Sequence, residues 1–426
     1  MKLLSIKAQN FKGFKELELP LDGKSIVIFG INGVGKTSLL SIINYLSWNW
    51  LYRLNPTQGT AFKSLGADLV RVGSSRMEIS YRMQLSDSEL GLKKAYTKAK
   101  PGKGTVVEQN KKLYDAFIDE FTTQYAADDA NIPILVNYGT NRSVLDIPMR
   151  TRKKHEFSKW TALELALENK LDFRTFFEWF RNQEEYESEL VREKKDLEYT
   201  DKALQCVRRA IEAMIPEFHN LKIKRNPLRM TVQKGKTEFC IDQLSDGEKC
   251  TLAFFGDLAR RLALANPMRD NPLEGEGIVL VDEIELHMHP SWQRHILGAL
   301  KDVFPNIQFI ITTHSPQVLG EVNDSYQIFR LENNGQNENS IMELSRLDGC
   351  DSNFILEEYM NTPSINSDFQ ELIRRAGELI SENRFAEAES LLDDIRHIAG
   401  LNQTSIINLE GQLKRGRIIY EKNNKG

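Results

Sequence analysis

The stretch Ser25 to Leu46 reads "SIVIFGINGVGKTSLLSIINYL". Its β-branched run from Ser25 to Phe29 predicts a buried strand, a glycine-rich turn follows, and an apolar pattern at helical spacing comes next. The turn fits G-x-x-x-x-G-K-[ST] as Gly30, Gly35, Lys36 and Thr37. Between a strand and a helix, such glycines let backbone N–H groups converge on phosphate oxygens, and the helix N-terminus adds its positive end. Lys36 is then placed to neutralise the β- and γ-phosphates, and Thr37 to offer a hydroxyl to Mg²⁺. A glycine turn of purely structural kind has no need of both flanking elements. The expectation is an α/β nucleotide-binding domain.

Outward from this loop, "EGIVLVDEIELHMHPSWQRH" predicts a second buried strand, Gly277 to Val281, delivering Asp282 and Glu283 at its carboxyl end. Ligands bind at that end of α/β sheets. Asp282 can hold Mg²⁺ through its water shell, and Glu283 can polarise the water that attacks the γ-phosphate. "NIQFIITTHSPQVL" repeats the design with a strand from Gln308 to Thr312 and His314 at its tip. Acidic pairs and single histidines at strand ends are often incidental. Three tips carrying lysine, carboxylates and histidine are a constellation.

The remaining short motif is "QLSDGEK", Gln243 to Lys249. Ser245 with Glu248 three residues on predicts a capping box, and Leu252, Phe255, Leu258 and Leu262 continue the helix at helical spacing. Residue by residue this is a well-capped helix. With Leu244 and Gly247 it also spells L-S-x-G-E, similar to the signature of ABC-type ATPases, whose capped helix N-terminus is a second anion site.

Composition bounds the rest. The 426 residues, 41% hydrophobic and 27% charged, suffice for a large core or two smaller ones. No apolar run of membrane-spanning length appears, and "KLLSIKAQNF" after Met1 lacks the pattern of a signal peptide, so a cytoplasmic location without membrane attachment is expected. Cys206, Cys240, Cys250 and Cys350 include no CxxC pair and read as reduced thiols. A net charge of −4 gives no overall bias toward nucleic acid.

Taken together, the motifs resemble those of ABC ATPases of the SMC and RecF kind. "LLSIKAQNFKGFKELEL", with N-F-x-x-F at Asn10, Phe11 and Phe14, is similar to that group's first strands, and "GINGVGKTS", with Asn32 and Gly33, to its loop. The resemblance implies an ABC-type ATPase head: a P-loop NTPase with a mixed sheet and an antiparallel subdomain. It implies that Gly30, Asn32, Gly33, Gly35, Lys36 and Thr37 bind ATP, that Thr37 and Asp282 bind Mg²⁺, that Glu283 is the catalytic base, and that His314 is the γ-phosphate switch. Ser245, Gly247 and Glu248 would act in trans on a second subunit, giving an ATP-dependent head-to-tail dimer or a higher oligomer.

The chain also departs from the group. Instead of a long coiled coil, a charged helical insert is expected over residues 157–218, between head halves at 1–156 and 219–350. A glutamine of the Q-loop is not evident, and Asn137 or Arg142 in "IPILVNYGTNRSV" are the substitutes. "IELHMHP" is similar to compact ATPases of OLD type. Its His287 and His289 read as interface packing or as a metal pair, and no Toprim-like acidic cluster follows His314. A hairpin is expected around Asn334-Gly335. Over 365–426, two amphipathic helices joined at Ser381 to Arg384 form a hairpin, with Leu372, Ala376 and Leu379 facing Ala386, Ala388, Leu391 and Leu392. This hairpin either packs on the head or serves as a docking platform.

This plan most resembles PtuA, the ATPase of Septu-type antiviral defence. That implies an ATPase regulating a separate HNH-type nuclease subunit. The alternative is a RecF-like repair ATPase binding DNA directly. Three basic clusters bear on a nucleic-acid partner: Lys93, Lys94, Lys98, Lys100 and Lys103; Arg150, Arg152, Lys153 and Lys154; and Lys222, Lys224, Arg225 and Arg229. Each is equally a solvated face.

Overall fold

The computed structural model describes residues 1–54, 64–99, 105–142, 157–169, 171–334, 338–363, 367–399 and 404–423. The chain forms two compact units, Met1–Asp351 and Ser352–Gly426.

A six-stranded sheet organises the first unit. Its order is Asn339–Leu344, Tyr326–Asn333, Ser25–Phe29, Ile307–Thr313, Gly277–Val281, Ile134–Tyr138. Every pairing is parallel except the hairpin formed by its first two strands. Ser25–Phe29, Ile307–Thr313, Gly277–Val281 and Ile134–Tyr138 are buried at every residue. Such strands carry continuous apolar runs because elements cover both faces of the sheet. The histidine strand is one residue longer at each end than its apolar run predicts, and Gln308 shows why it can be. Its amide donates to Leu3 O (3.0 Å) and Lys24 O (2.9 Å) and accepts from Leu3 N (2.6 Å), so a polar side chain inside the core is fully used.

A five-stranded antiparallel sheet lies in the order Phe14–Pro20, Lys2–Phe11, Arg76–Leu85, Ser88–Thr97, Val106–Gln109. The N-F-x-x-F pattern is its first turn. Phe11 pairs with Phe14, both rings are fully buried, and Lys12 takes a left-handed φ of 48° between them. A smaller sheet of Phe218–Arg225, Leu228–Lys234 and Thr237–Cys240 precedes the signature helix, Asp246–Ala265.

The insert opens with a short 3-10 turn, Lys159–Leu163, and continues as two helices, Phe173–Lys194 and Lys202–Met214. Phe173, Phe176, Phe177, Trp179 and Phe180 are buried, so the first of these helices is anchored by an aromatic end while its later turns are charged.

Among the described residues the second unit holds, besides the expected hairpin, two short helical turns at Ser352–Phe354 and Ile355–Tyr359 and a further long helix. Ser367–Ser381 and Phe385–Ala399 are joined where predicted, and Asn383, at φ 60°, closes the first helix with Arg384 N to Leu379 O and Asn383 N to Ile380 O. A third helix, Thr404–Asn423, adds Ile406, Leu409 and Leu413 to a core of Ala376, Leu379, Ala388, Leu392 and Ile395. Ala386, expected in that seam, is exposed. Two helices cover only part of such a stripe, and the third supplies the missing face.

Candidate functional site

Strand register assembles the site. Phe29 stands level with Thr313 and Arg330, and Val281 with Ile311 and Tyr138. The residues that follow each strand, Gly30, His314, Asp282 and Gly139, therefore emerge at one edge.

The loop is shaped by what lies behind it. At Gly35, φ is 104°, and a Cβ there would meet the Phe14 ring at 3.1 Å and the Asn339 amide at 3.2 Å. The position thus demands glycine on both backbone and packing grounds. Asn339 is buried and donates to Val34 O (2.7 Å), fixing the loop from the sheet's last strand. Asn32 and Gly33 are exposed at the loop tip.

Lys36 starts the helix Lys36–Leu54 and is 5% exposed. Its ammonium donates to Gly30 O (2.8 Å) and Ile31 O (3.1 Å). Burial pulls its pKa down to about 8, with Glu283, Asp282 and Glu285 opposing the fall. The Thr37 hydroxyl donates to Asp282 Oδ2 (2.8 Å), and Thr312 donates to Asp282 Oδ1 (2.6 Å). A hydroxyl and a carboxylate meeting at the loop form a hard-oxygen pair, the chemistry Mg²⁺ takes.

Glu283 has a left-handed φ of 51°, and its N–H donates to Thr312 Oγ1 (2.8 Å). Its carboxylate lies 3.9 Å from His314 Nε2. Burial lowers the His314 pKa, as does the Lys36 charge, while the three carboxylates oppose. The net shift favours the neutral imidazole. Glu285 binds the histidine strand by accepting from Thr313 Oγ1 (2.7 Å) and from His314 N (2.6 Å).

Lys36, Thr37, Asp282, Glu283 and His314 are thus brought together; Ser245, Gly247 and Glu248 form a separate place. Ser245 caps its helix as the spacing predicts: its hydroxyl accepts from Glu248 N (3.3 Å) and donates to Glu248 Oε2 (2.8 Å). Lys234 reaches the other Glu248 oxygen at 2.7 Å. A Cβ on Gly247 would stand 2.3 Å from His287 O, so the signature glycine is where helix and acidic-strand loop touch. The cavity beside them is lined by Lys234, Ser245, Gly247, His287, His289 and Trp292 among others, and by none of the loop residues.

Several expectations change. His289 uses Nδ1 on Ser291, His287 and His289 are both exposed, and among the described residues no group of three His, Cys, Asp or Glu side chains is placed to hold a metal. Asn137 bonds Asn169, whereas Arg142 reaches the acidic strand tip itself. Among the basic clusters, Lys93 and Lys94 lie on a strand, and Lys94 is buried on Tyr45 O instead of facing solvent. Lys222 and Lys224 share a single carboxylate, Glu238, which offsets one of that cluster's four positive charges. Residues 100, 103, 150 and 152–154 lie outside the described residues.

Sequence reasoning missed Thr312, Thr313, Glu285 and Asn339. The first three had a signal, hydroxyls before the histidine and a third acid in "DEIE". Asn339 had none, because only strand pairing brings it to the loop.

A family model described as "AAA domain, putative AbiEii toxin, Type IV TA system" matches residues 25–320. The chain is 30% identical over 394 residues to the Retron Ec83 probable ATPase of Escherichia coli, covering 78% of this chain and 72% of that one. It is 41% identical over 93 residues to the Septu protein PtuA of Bacillus mycoides (strain KBAB4), covering 22% of this chain and 13% of that one. In fold it is similar to an Smc head solved with the C-terminal winged-helix domain of ScpA. The TM-score is 0.51 at 15% identity, covering 81% of this chain and 98% of that one. No helix among the described residues is long and apolar enough to cross a membrane.

Proposed function

The chain belongs to the AAA-domain family whose model it matches and is an ATPase with an SMC/RecF-like ABC-type head, and from that premise we propose that two copies close around ATP and control a separate nuclease in anti-phage defence. The observation that carries this reading is the separation of two anion sites. One edge of the sheet carries Lys36, Thr37, Asp282, Glu283 and His314, while the Ser245 helix end faces its own cavity.

In this reading the loop amides and Lys36 hold the β- and γ-phosphates. Thr37 and Asp282 would hold Mg²⁺, which would supply charge neutralisation at the phosphates. Glu283 takes the proton of the water that attacks the γ-phosphorus, with ADP leaving, and His314 contacts the γ-phosphate from the neighbouring tip. Ser245, Gly247 and Glu248 of a second copy complete the site, so ATP binding is read out as association. The C-terminal unit is the dock for the nuclease, an HNH-type subunit in keeping with the Septu relative. Ile407, Ile418 and Ile419 are exposed on its third helix, which supports that role.

Sedimentation with a non-hydrolysable ATP analogue tests the dimer. Ser245→Arg should leave analogue binding within a few-fold and abolish association, and mixing it with Lys36→Ala should restore one composite site. Association of Ser245→Arg at full strength refutes the trans role. Truncation after about Ser364 should keep ATP binding and lose the nuclease in pull-down.

A further inference from the structure

Arg142 follows the strand Ile134–Tyr138 and is 3% exposed. Its guanidinium donates to two successive backbone carbonyls, Asp282 O at 3.1 Å and Glu283 O. Its central guanidinium carbon lies over the Phe254 ring, 5.7 Å from the centroid, and that ring meets Tyr138 edge-on at 4.7 Å. Phe254 belongs to the signature helix. The backbone that Arg142 grips is the one at which Glu283 adopts φ 51°. A left-handed residue other than glycine persists only where its surroundings hold it. Here the Glu283 N–H is held by Thr312 Oγ1, and the Glu283 carbonyl by Arg142.

We propose that Arg142 is a positioning residue for hydrolysis, clamping the Asp282 and Glu283 carbonyls so that the Glu283 carboxylate is presented to the attacking water. This rests on the reading of Glu283 as the general base. A guanidinium suits the task because one prong of its planar fork, Nη2, carries two N–H groups of fixed direction that serve both carbonyls. Held by Nη2 on those carbonyls and 3% exposed, the side chain is committed to the backbone behind the Glu283 carboxylate. Its loss therefore falls on the rate of hydrolysis and spares nucleotide affinity.

The experiment uses the full chain with Arg142→Met, Arg142→Lys, Glu283→Gln and the Arg142→Met/Glu283→Gln pair, measuring kcat and affinity for a non-hydrolysable ATP analogue. Arg142→Met should lower kcat by about a hundredfold, the scale of a small misplacement of a catalytic group, with analogue affinity within about threefold. Arg142→Lys, which keeps the charge and loses the fork, should lose about tenfold in kcat. Because Arg142 acts through Glu283, the double variant should be no slower than Glu283→Gln alone. Analogue affinity falling in step with kcat, or losses that multiply in the double variant, overturns the proposal. If Arg142→Met does not fold, Arg142→Lys decides, and an unaltered kcat there overturns it. Glu283→Gln turning over at the unaltered rate is a distinct result: it removes the base assignment, and the clamp with it.

Discussion

The two places we propose to receive phosphate, the loop and the signature helix, differ in what surrounds them. The loop presents a lysine that is 5% exposed, close to three carboxylates that all follow the strand Gly277–Val281. The signature helix presents an exposed N-terminus whose serine hydroxyl is engaged by Glu248, with Lys234 behind that carboxylate. At the first place cation, base and metal-binding oxygens converge, so chemistry can happen there. The second offers oriented N–H groups and a hydroxyl, and the carboxylates of its cavity lining, Glu217 and Glu248, are both paired with Lys234. The difference teaches that an anion-binding helix end is half of a site. Burial and charge opposition at the strand tips make the other half.

The largest effect that sharpens this contrast is expected at Glu283. Glu283→Gln should reduce kcat by about 10²–10⁴-fold, the usual range for a positioned acid–base group, while the protein still captures ATP in rapid filtration. Equal losses of capture and turnover would collapse the distinction between binding and chemistry at the loop. Next comes Lys36→Ala. A charge-assisted contact of about 1.5–3 kcal/mol is removed, so affinity for an ATP analogue should fall by about ten- to a hundredfold in a titration.

A smaller effect follows from pH. The Lys36 pKa in the free protein is lowered to about 8, chiefly by burial. Phosphate binding stabilises the charged ammonium and raises that value. Affinity is therefore full below pH 8 and declines above it, by at most about tenfold per pH unit, with one proton taken up on binding. Calorimetric titration between pH 7 and 9 checks the slope, and Lys36→Arg should flatten it. An affinity that rises with pH would reverse the assigned sign. Least is expected at the other place: Ser245→Ala removes the cap and should cost about 1 kcal/mol in a denaturant midpoint, leaving analogue binding by the loop unaltered.

Local signals were legible where one element carries its own evidence. The loop, the acidic strand, the capping box and the joint at Ser381 to Arg384 each combine periodicity with a boundary residue, and each lies where its residues predict. The third C-terminal helix was not legible as part of the core. Its apolar residues circle it, and only packing sorts buried Leu409 and Leu413 from exposed Ile418 and Ile419. The lysine clusters misled for a related reason, since adjacent residues on a strand face opposite ways and Lys94 turns inward where Lys93 does not.

By itself the amino-acid sequence determined that this protein has a phosphate loop between strand and helix, carboxylates and a histidine at strand ends, and a capped signature helix. These follow from short-range order, because dihedral preferences, glycine positions and hydrophobic periods act over a few residues. Only the tertiary structure decided that Thr37 meets Asp282, that Asn339 braces the loop, that Glu285 ties the histidine strand to the acidic one, and that Arg142 grips the Glu283 backbone. Those contacts join residues far apart in the chain. They are set by strand register and burial, which no local pattern encodes.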